Sequence, residues 1–276
     1  MEPIIERLTK DVRKAAADLT DTEARYLVDL YYQIQDFRKA SANQVTAMKK
    51  AEEPIAVLKW STETMERVES EIRYWLDKYT DRQHMGVWSK AICGIGPVIS
   101  AGLLAHIDIK KAPTVGHIWR FAGLDPTLEW KKGEKRPFNA GLKTLCWKIG
   151  ESFVKVSGND KDVYGKVWAA RKKWETERNE SGAYAAQAKY KLEKFKIGKN
   201  TDAYAAYSQG KLPPGHIHAR AKRYAVKLFL SHWHAEAYRH EFGKEPPLPY
   251  PIAHLGHVHF INPDGSKTTI PDQSRD

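Results

Sequence analysis

The chain has little of what marks secreted or membrane-spanning proteins. It has only two cysteines among 276 residues. Cys93 and Cys146 both lie in apolar stretches, so we expect reduced core thiols of a cytoplasmic protein rather than a disulfide. No apolar run approaches the ~20 residues that a membrane-spanning helix needs, and we expect no membrane partner. The start, Met1-Glu2-Pro3, leads into a charged amphipathic pattern that does not resemble a signal peptide.

Acidic residues are scarce in one part of the chain. The net charge is +11. Residues 131–244 contain 25 Lys/Arg and 11 Asp/Glu, a balance of +14, whereas the remaining residues contain 20 and 23, a balance of −3. Positive charge concentrated in one region indicates a polyanionic partner. A lysine-rich surface that merely contacts solvent is the alternative interpretation.

Apolar residues recur at helical spacing from residue 3 to about 90. Thr20 and Glu23 have the spacing of a capping box, which predicts a helix start. The polar stretch 41–53 either continues this helix or ends near Pro54. A helix with a single apolar stripe must bury it against a neighbour. An antiparallel hairpin or coiled coil that forms a homodimer satisfies this requirement, and so does a bundle within one chain.

The remaining sequence also favours helices. Glycines punctuate residues 89–155, and a closing basic helix is expected from about His216 to Phe242, followed by an extended tail. The turn residues at 262–265 predict a short β-hairpin in that tail. We therefore predict an all-α protein. Its four expected segments are a helical or coiled-coil arm at 1–88, a helix-hairpin-helix domain at 89–155, a charged helical insert at 156–212, and the closing helix and tail at 213–276.

A Gly-Ile-Gly turn between two short predicted helices is the most informative local motif. Gly94 and Gly96 allow positive φ angles and a close approach of a ligand to the backbone. Pro97 suits the first turn of the second helix, where its missing N–H costs nothing. Ile95 is expected to anchor the turn in the core, and the helix that contains Val98 directs its free N–H groups outward. Such donors, together with the helix dipole, favour a phosphate. A purely structural connection is the alternative.

Five stretches of the chain, taken in order, resemble the C-terminal domain of the transposases of the insertion-sequence 110/116/902 group. The resemblance covers roughly 100 residues. It implies a helix-hairpin-helix fold, binding of double-stranded DNA, an origin in a phage or other mobile element, and a place in the prokaryotic cytoplasm or a phage-infected cell. It also implies structured RNA as a second partner. The matching stretches are 93–101, 103–107, 119–126, 139–145 and 219–230.

The chain departs from that family where the chemistry would be. The family's serine nucleophile is missing, because no serine occurs between Ala101 and Glu151 and residues 129–133 occupy its expected place. The N-terminal region predicts helices instead of strands that carry acidic metal ligands. We therefore predict a DNA-binding protein without strand-transfer activity of its own. An active transposase or recombinase subunit that works with a partner nuclease or a guide RNA is the alternative.

The predicted DNA contacts combine the hairpin, a basic loop, the start of the following helix and one face of the closing helix. Arg220, Arg223 and Lys227 share that face because they lie at i, i+3 and i+7. A solvated basic face is the alternative for these three. The full predicted set is Gly94, Ile95, Gly96, Val98, Lys131, Lys132, Lys135, Arg136, Asn139, Gly141, Lys143, Arg220, Arg223 and Lys227.

Histidines cluster late in the chain. His254, His257 and His259 offer imidazole ligands that suit zinc, and the last two share a face on a strand. No cysteine lies nearby, so we expect capping and packing roles and no cofactor, with zinc at these three residues as the less favoured alternative.

Overall fold

The computed structural model describes residues 14–131, 133–254 and 259–269. The predicted all-α class is confirmed, because helices carry nearly all of the regular structure in these ranges. The chain divides into two compact units, Met1–Lys111 and Ala112–Asp276. This division falls inside the segment 89–155. None of the described helices is both long enough and apolar enough to cross a membrane.

Four α-helices lie in the described part of the first unit, residues 14–111, and the first of them begins where the sequence predicts. The Thr20 side chain accepts the N–H of Glu23 while the Glu23 carboxylate accepts the Thr20 N–H, which completes the capping box. The first helix ends at Lys50, before Pro54. The helices are α1 (Asp21–Lys50), α2 (Ala56–Asp81), α3 (His84–Lys90) and α4 (Pro97–His106).

Helices α1 and α2 pack antiparallel. Asp21 accepts a hydrogen bond from the Tyr79 hydroxyl at 2.7 Å, and farther along α1 the Ser41 hydroxyl lies 2.8 Å from that of Thr62. Residue numbers thus rise along α1 as they fall along α2. No described side chain between residues 31 and 71 is buried, so this part of the pair is a two-helix arm. The predicted homodimer through these helices stays a prediction.

The base of the arm packs on α4, which forms the core of the first unit. Val28 of α1 and Leu76 of α2 are buried, and both helices contact α4. Nearly every residue of α4 is buried, including Ala101 and Leu103. The Ser100 hydroxyl donates to the Gly86 carbonyl at 3.2 Å, which joins α4 to α3. The helix that follows the Gly-Ile-Gly turn is therefore a central core helix.

The second unit is built around one long helix, α10. Ala221, Phe229 and Trp233 of this helix are buried, and α10 contacts the helices α5, α6 and α7. Pro213 and Pro214 set its start, and Gly243 ends it in the left-handed conformation. The helices of this unit are α5 (Val115–Phe121), α6 (Ala140–Val156), α7 (Tyr164–Glu180), α8 (Ala185–Lys194), α9 (Asp202–Ser208), α10 (Pro214–Phe242) and α11 (Tyr250–His254).

The tail forms the short β-hairpin that its turn residues predict. Strands β1 (His259–Ile261) and β2 (Lys267–Thr269) pair antiparallel, with Phe260 opposite Thr268. Buried His232 fastens this hairpin to the core. Its Nε2 lies 2.7 Å from the Ile261 carbonyl oxygen, and its Nδ1 lies 2.7 Å from the Tyr164 hydroxyl. Both contacts fit a neutral imidazole that donates to the carbonyl and accepts from the phenol.

Candidate nucleic-acid interface

The Gly-Ile-Gly turn lies between the short helix α3 and helix α4. Gly94 adopts a φ of +91°, which strongly favours glycine. Gly96 is extended, with φ −94° and ψ 179°, and is the N-cap of α4. A Cβ at Gly96 would meet no atom within 4 Å. The backbone conformation thus requires glycine at position 94, whereas position 96 is exposed and accepts any side chain.

Only the backbone of this turn can face a ligand. The side chains of Ile95 and Val98 are buried, which places Ile95 in the core as expected. The first turn of an α-helix leaves its N–H groups without partners inside the helix. In α4 the first backbone hydrogen bond of the helix runs from the Ser100 N–H to the Gly96 carbonyl at 3.0 Å. Any phosphate contact here is therefore made by N–H groups at the start of α4.

The unit that contains the hairpin carries no net charge. Residues 1–111 hold 17 Lys/Arg and 17 Asp/Glu. Of the chain's 45 basic and 34 acidic residues, 28 and 17 therefore remain for residues 112–276. Lys90, close to the hairpin in sequence, lies 2.6 Å from a carboxylate oxygen of Asp77 and 2.5 Å from one of Asp81. The net charge of +11 thus belongs entirely to the second unit.

The predicted basic loop lies on the surface of the second unit. Lys131, Lys135 and Arg136 are exposed, and the Trp130 indole N–H donates to the Glu134 carbonyl at 2.9 Å, which closes the loop. The Arg136 guanidinium lies 5.5 Å from the centre of the Trp130 ring. Lys132 lies outside the described residues. The loop presents cations to solvent, as a phosphate contact requires.

The three predicted residues at the start of α6 have different surroundings. Asn139 is the N-cap and accepts the Leu142 N–H at 2.8 Å, so its side chain already has a structural task. Gly141 is partly exposed in the first turn of the helix. Lys143 is exposed, and its ammonium lies 4.1 Å from the centre of the Phe138 ring. Of the three side chains, Lys143 is best placed to meet a ligand.

The three predicted cations of α10 differ in their freedom. The Arg220 Nε donates to Glu175 at 2.9 Å, and its guanidinium lies 4.6 Å from the Tyr184 ring centre. Lys227 lies 4.0 Å from the ring centre of Trp119. Arg223 is exposed between them. The shared face is present, but Arg223 is the member of it that is most open to a ligand.

A group of arginines and aromatic rings on α7 extends this face. The Arg171 guanidinium lies 4.1 Å from the Trp174 ring centre and 4.5 Å from that of Tyr224. The Arg178 guanidinium also lies beside the Trp174 ring, 4.7 Å from its centre. We call this group the arginine–aromatic cluster; its members are Arg171, Trp174, Arg178, Tyr184, Arg220, Arg223 and Tyr224.

Sequence reasoning missed the α7 part of the cluster. Arg171, Trp174 and Arg178 lie at i, i+3 and i+7, a spacing that puts two guanidinium groups and an indole on one helix face. That spacing was the available signal. It stood inside the insert at 156–212, for which the sequence analysis gave no function.

One buried carboxylate holds the cluster together. The Glu175 side chain is 2% exposed, and Arg171 Nη2 and Arg220 Nε lie 2.8 and 2.9 Å from its oxygens. The Tyr184 hydroxyl also donates to it. Burial alone would raise the pKa of Glu175, but the hydrogen bonds from Tyr184, Arg220 and Arg171 outweigh it and lower the pKa. Glu175 is therefore held as a carboxylate that fixes two arginines.

The local field around the cluster is positive. Partial burial lowers the pKa of His216, and the charges of Arg223, Arg220 and Lys191 lower it further, against Glu175 alone. Arg223 is exposed as a residue, but protein atoms around its guanidinium partly desolvate it, and this desolvation, followed by the charge of Arg220, lowers its pKa. Cations that repel one another in this way favour an anion as ligand.

The zinc site considered at His254, His257 and His259 stays an untested alternative. His257 and the side chain of His259 lie outside the described residues. Among the residues that are described, no three histidines, cysteines or carboxylates come together as a metal site. His254 lies beside the Tyr250 ring, with centroids 4.8 Å apart.

Comparison with known proteins gives no relative. No family model matches the chain, and neither a curated protein nor a solved structure matches it significantly. The resemblance to the transposases therefore rests on the sequence motifs alone.

Proposed function

We propose that this protein binds DNA, chiefly through the surface of its second unit. One observation carries the proposal: the whole net charge of +11 lies in residues 112–276. Within that unit, arginines stand on partly exposed aromatic rings, among them Trp174 at 42% and Tyr224 at 38% exposure. Planar guanidinium groups pair with phosphate oxygens and stack on rings. A surface of this kind suits a sugar-phosphate backbone with bases beside it.

The proposed binding is driven by phosphate contacts and is independent of base sequence. Arg178 and Arg223 are exposed, and the basic loop and Lys143 supply further cations in the same unit. Each phosphate that a cation neutralises releases counterions and steepens the salt dependence of the affinity by about 0.9. The hairpin of the first unit adds a smaller contact through the N–H groups at the start of α4.

We also propose that the protein has no strand-transfer activity of its own. This part of the proposal follows from the sequence, in which the serine of the resembling transposases has no counterpart between Ala101 and Glu151. The test is direct. Purified protein incubated with Mg²⁺ and end-labelled duplex DNA is expected to leave the strands intact, and cleaved or joined strands would establish the alternative, an active recombinase subunit.

A salt series tests the proposed DNA binding. The affinity of the wild type for a blunt duplex of about 25 base pairs is measured by fluorescence anisotropy, next to Arg178→Gln and Arg223→Gln. Each variant is expected to bind more weakly and to lower the slope of log K against log salt by about one. Lys49→Gln, an exposed lysine of the neutral unit, is the matched control and should behave like the wild type.

Two outcomes would contradict the proposal. No binding of duplex DNA at low salt would remove the function itself. Binding with the same slope in the wild type and in both arginine variants would remove the arginine–aromatic cluster from the interface. A folded RNA hairpin in the same series shows whether RNA binds more tightly than DNA, which would make RNA the ligand.

A further inference from the structure

One tryptophan of the second unit lies outside the arginine–aromatic cluster and has no task in the core. Trp147 is 56% exposed, although it lies in the middle of α6 between Cys146 and Ile149, which are both buried. The inward face of α6 is complete without it. An exposed indole offers an apolar aromatic face and a polar N–H to a ligand.

Lysines surround this indole. The ammonium groups of Lys148 and Lys222 lie 5.5 and 5.8 Å from the centre of the Trp147 ring. Lys143 precedes Trp147 by one helical turn on the same side of α6 and is exposed. The Glu151 carboxylate, which pairs with Lys222, is the acidic group of this neighbourhood. Lys143 and Lys148 add two positive charges beside this ion pair, which favours an anionic ligand next to the ring.

Two other tryptophans of this unit have a cation much closer to the ring than Trp147 has. Trp174 has Arg171 at 4.1 Å and Arg178 at 4.7 Å from its ring centre. Trp119 has Lys227 at 4.0 Å and donates its indole N–H to the Lys227 carbonyl at 3.2 Å. Trp130 has Arg136 at a similar distance of 5.5 Å but is less exposed, at 42%. The cations near Trp147 stand more than 5 Å away. Its ring therefore offers more open surface for a flat ligand.

We propose that Trp147 stacks on an unpaired base while Lys143, Lys148 and Lys222 hold the phosphates on either side of it. This inference rests on the proposed DNA binding and specifies its ligand. In the interior of a duplex both faces of every base are already stacked, so apart from the two terminal base pairs an indole finds a free face only at a single strand, an overhang or a flipped base. A base offers a π-face to the indole, and its phosphates match the lysines.

The experiment compares two DNA probes that differ only in unpaired bases. One is a blunt duplex of about 25 base pairs, and the other is the same duplex with a single-stranded overhang of about six nucleotides that contains 2-aminopurine. The proteins are the wild type, Trp147→Ala, Trp147→Phe and Tyr190→Ala. Tyr190 is a matched control, because it is 51% exposed on α8 of the same unit.

The wild type is expected to bind the overhang probe about tenfold more tightly than the blunt probe and to quench the 2-aminopurine fluorescence. Trp147→Ala should lose about tenfold in affinity for the overhang probe alone and lose the quenching. Trp147→Phe should keep most of both, because phenylalanine retains an aromatic face. Tyr190→Ala should match the wild type.

Equal affinity of the wild type for the two probes would overturn the inference and leave the DNA binding itself intact. So would an unchanged preference in Trp147→Ala. Absence of binding to either probe would instead overturn the proposed function. Thermal unfolding of each variant checks that it is folded. Replacement of an exposed side chain should leave the melting temperature within a few degrees of the wild type.

Discussion

The hairpin can be tested by one substitution that the structure makes unusually clean, Gly96→Glu. A Cβ at Gly96 meets nothing within 4 Å, and its φ of −94° and ψ of 179° suit any L-residue. The new carboxylate stands at the start of α4, where it interacts favourably with the helix dipole by about 0.3–1 kcal/mol. We therefore expect a folded protein whose melting temperature equals or slightly exceeds that of the wild type.

The same carboxylate should oppose a phosphate at the start of α4. Two negative charges about 6 Å apart repel by roughly 1–3 kcal/mol for effective dielectric constants between about 80 and 20. The affinity for DNA should therefore fall by about fivefold to a hundredfold. Fluorescence anisotropy with a blunt duplex at low salt measures the change, and added salt should reduce it because the repulsion is screened.

Two control variants separate charge from shape and position. Gly96→Ala adds a side chain without a charge and should bind like the wild type. Ala47→Glu places the same charge at an exposed site near the end of the arm and should also have little effect. Undiminished binding by Gly96→Glu, with a normal melting temperature, would remove the hairpin from the DNA interface while leaving the second unit in it.

Two further predictions concern the stability of the second unit. Glu175→Gln removes the carboxylate that pairs with Arg171 and Arg220. Because both arginines remain partly solvated, we expect the free energy of unfolding to fall by about 2 kcal/mol and the melting temperature by about 4–8 °C. The exposed control Glu177→Gln should change the melting temperature by less than about 2 °C, and an unchanged Glu175→Gln protein would refute the pairing. Burial lowers the pKa values of His232 and His234 below the usual 6.5. The unfolded chain therefore takes up protons first as the pH falls through about 6.5, so the contribution of these histidines to stability is full above that pH and is lost progressively below it. Calorimetry at pH 7.5 and 5.5 should show a lower melting temperature at the acidic pH. An equal or higher melting temperature there would contradict the assignment.

Several element boundaries in this protein follow from short-range chemistry, and the sequence predicted these. Thr20 and Glu23 start α1 through a capping box that spans four residues. Pro97 starts α4 where proline needs no donor, and the tail turns where its asparagine, proline, aspartate and glycine predict. In each case the deciding contacts lie within one turn, so the local sequence contains the whole cause.

The candidate site was predictable only in part, because its contacts join distant segments. Arg220 and Glu175 are 45 residues apart in the sequence, and no local pattern around either residue predicts their contact. The sequence assigned Arg220, Arg223 and Lys227 to one face, but it could not show that Arg220 and Lys227 already have protein partners. It likewise gave the positive charge of residues 131–244, but not the neutrality of the compact unit that holds the hairpin.

The sequence alone determined the all-α class, the starts of α1 and α4, the extent of α10 and the excess of positive charge, because propensity, capping and formal charge are properties of neighbouring residues. Tertiary structure decided which side chains meet water. It buried Val98 within the motif that most suggested a DNA contact, and it left Trp147 exposed beside lysines on α6. Burial depends on which helices pack together, and only the folded chain specifies that.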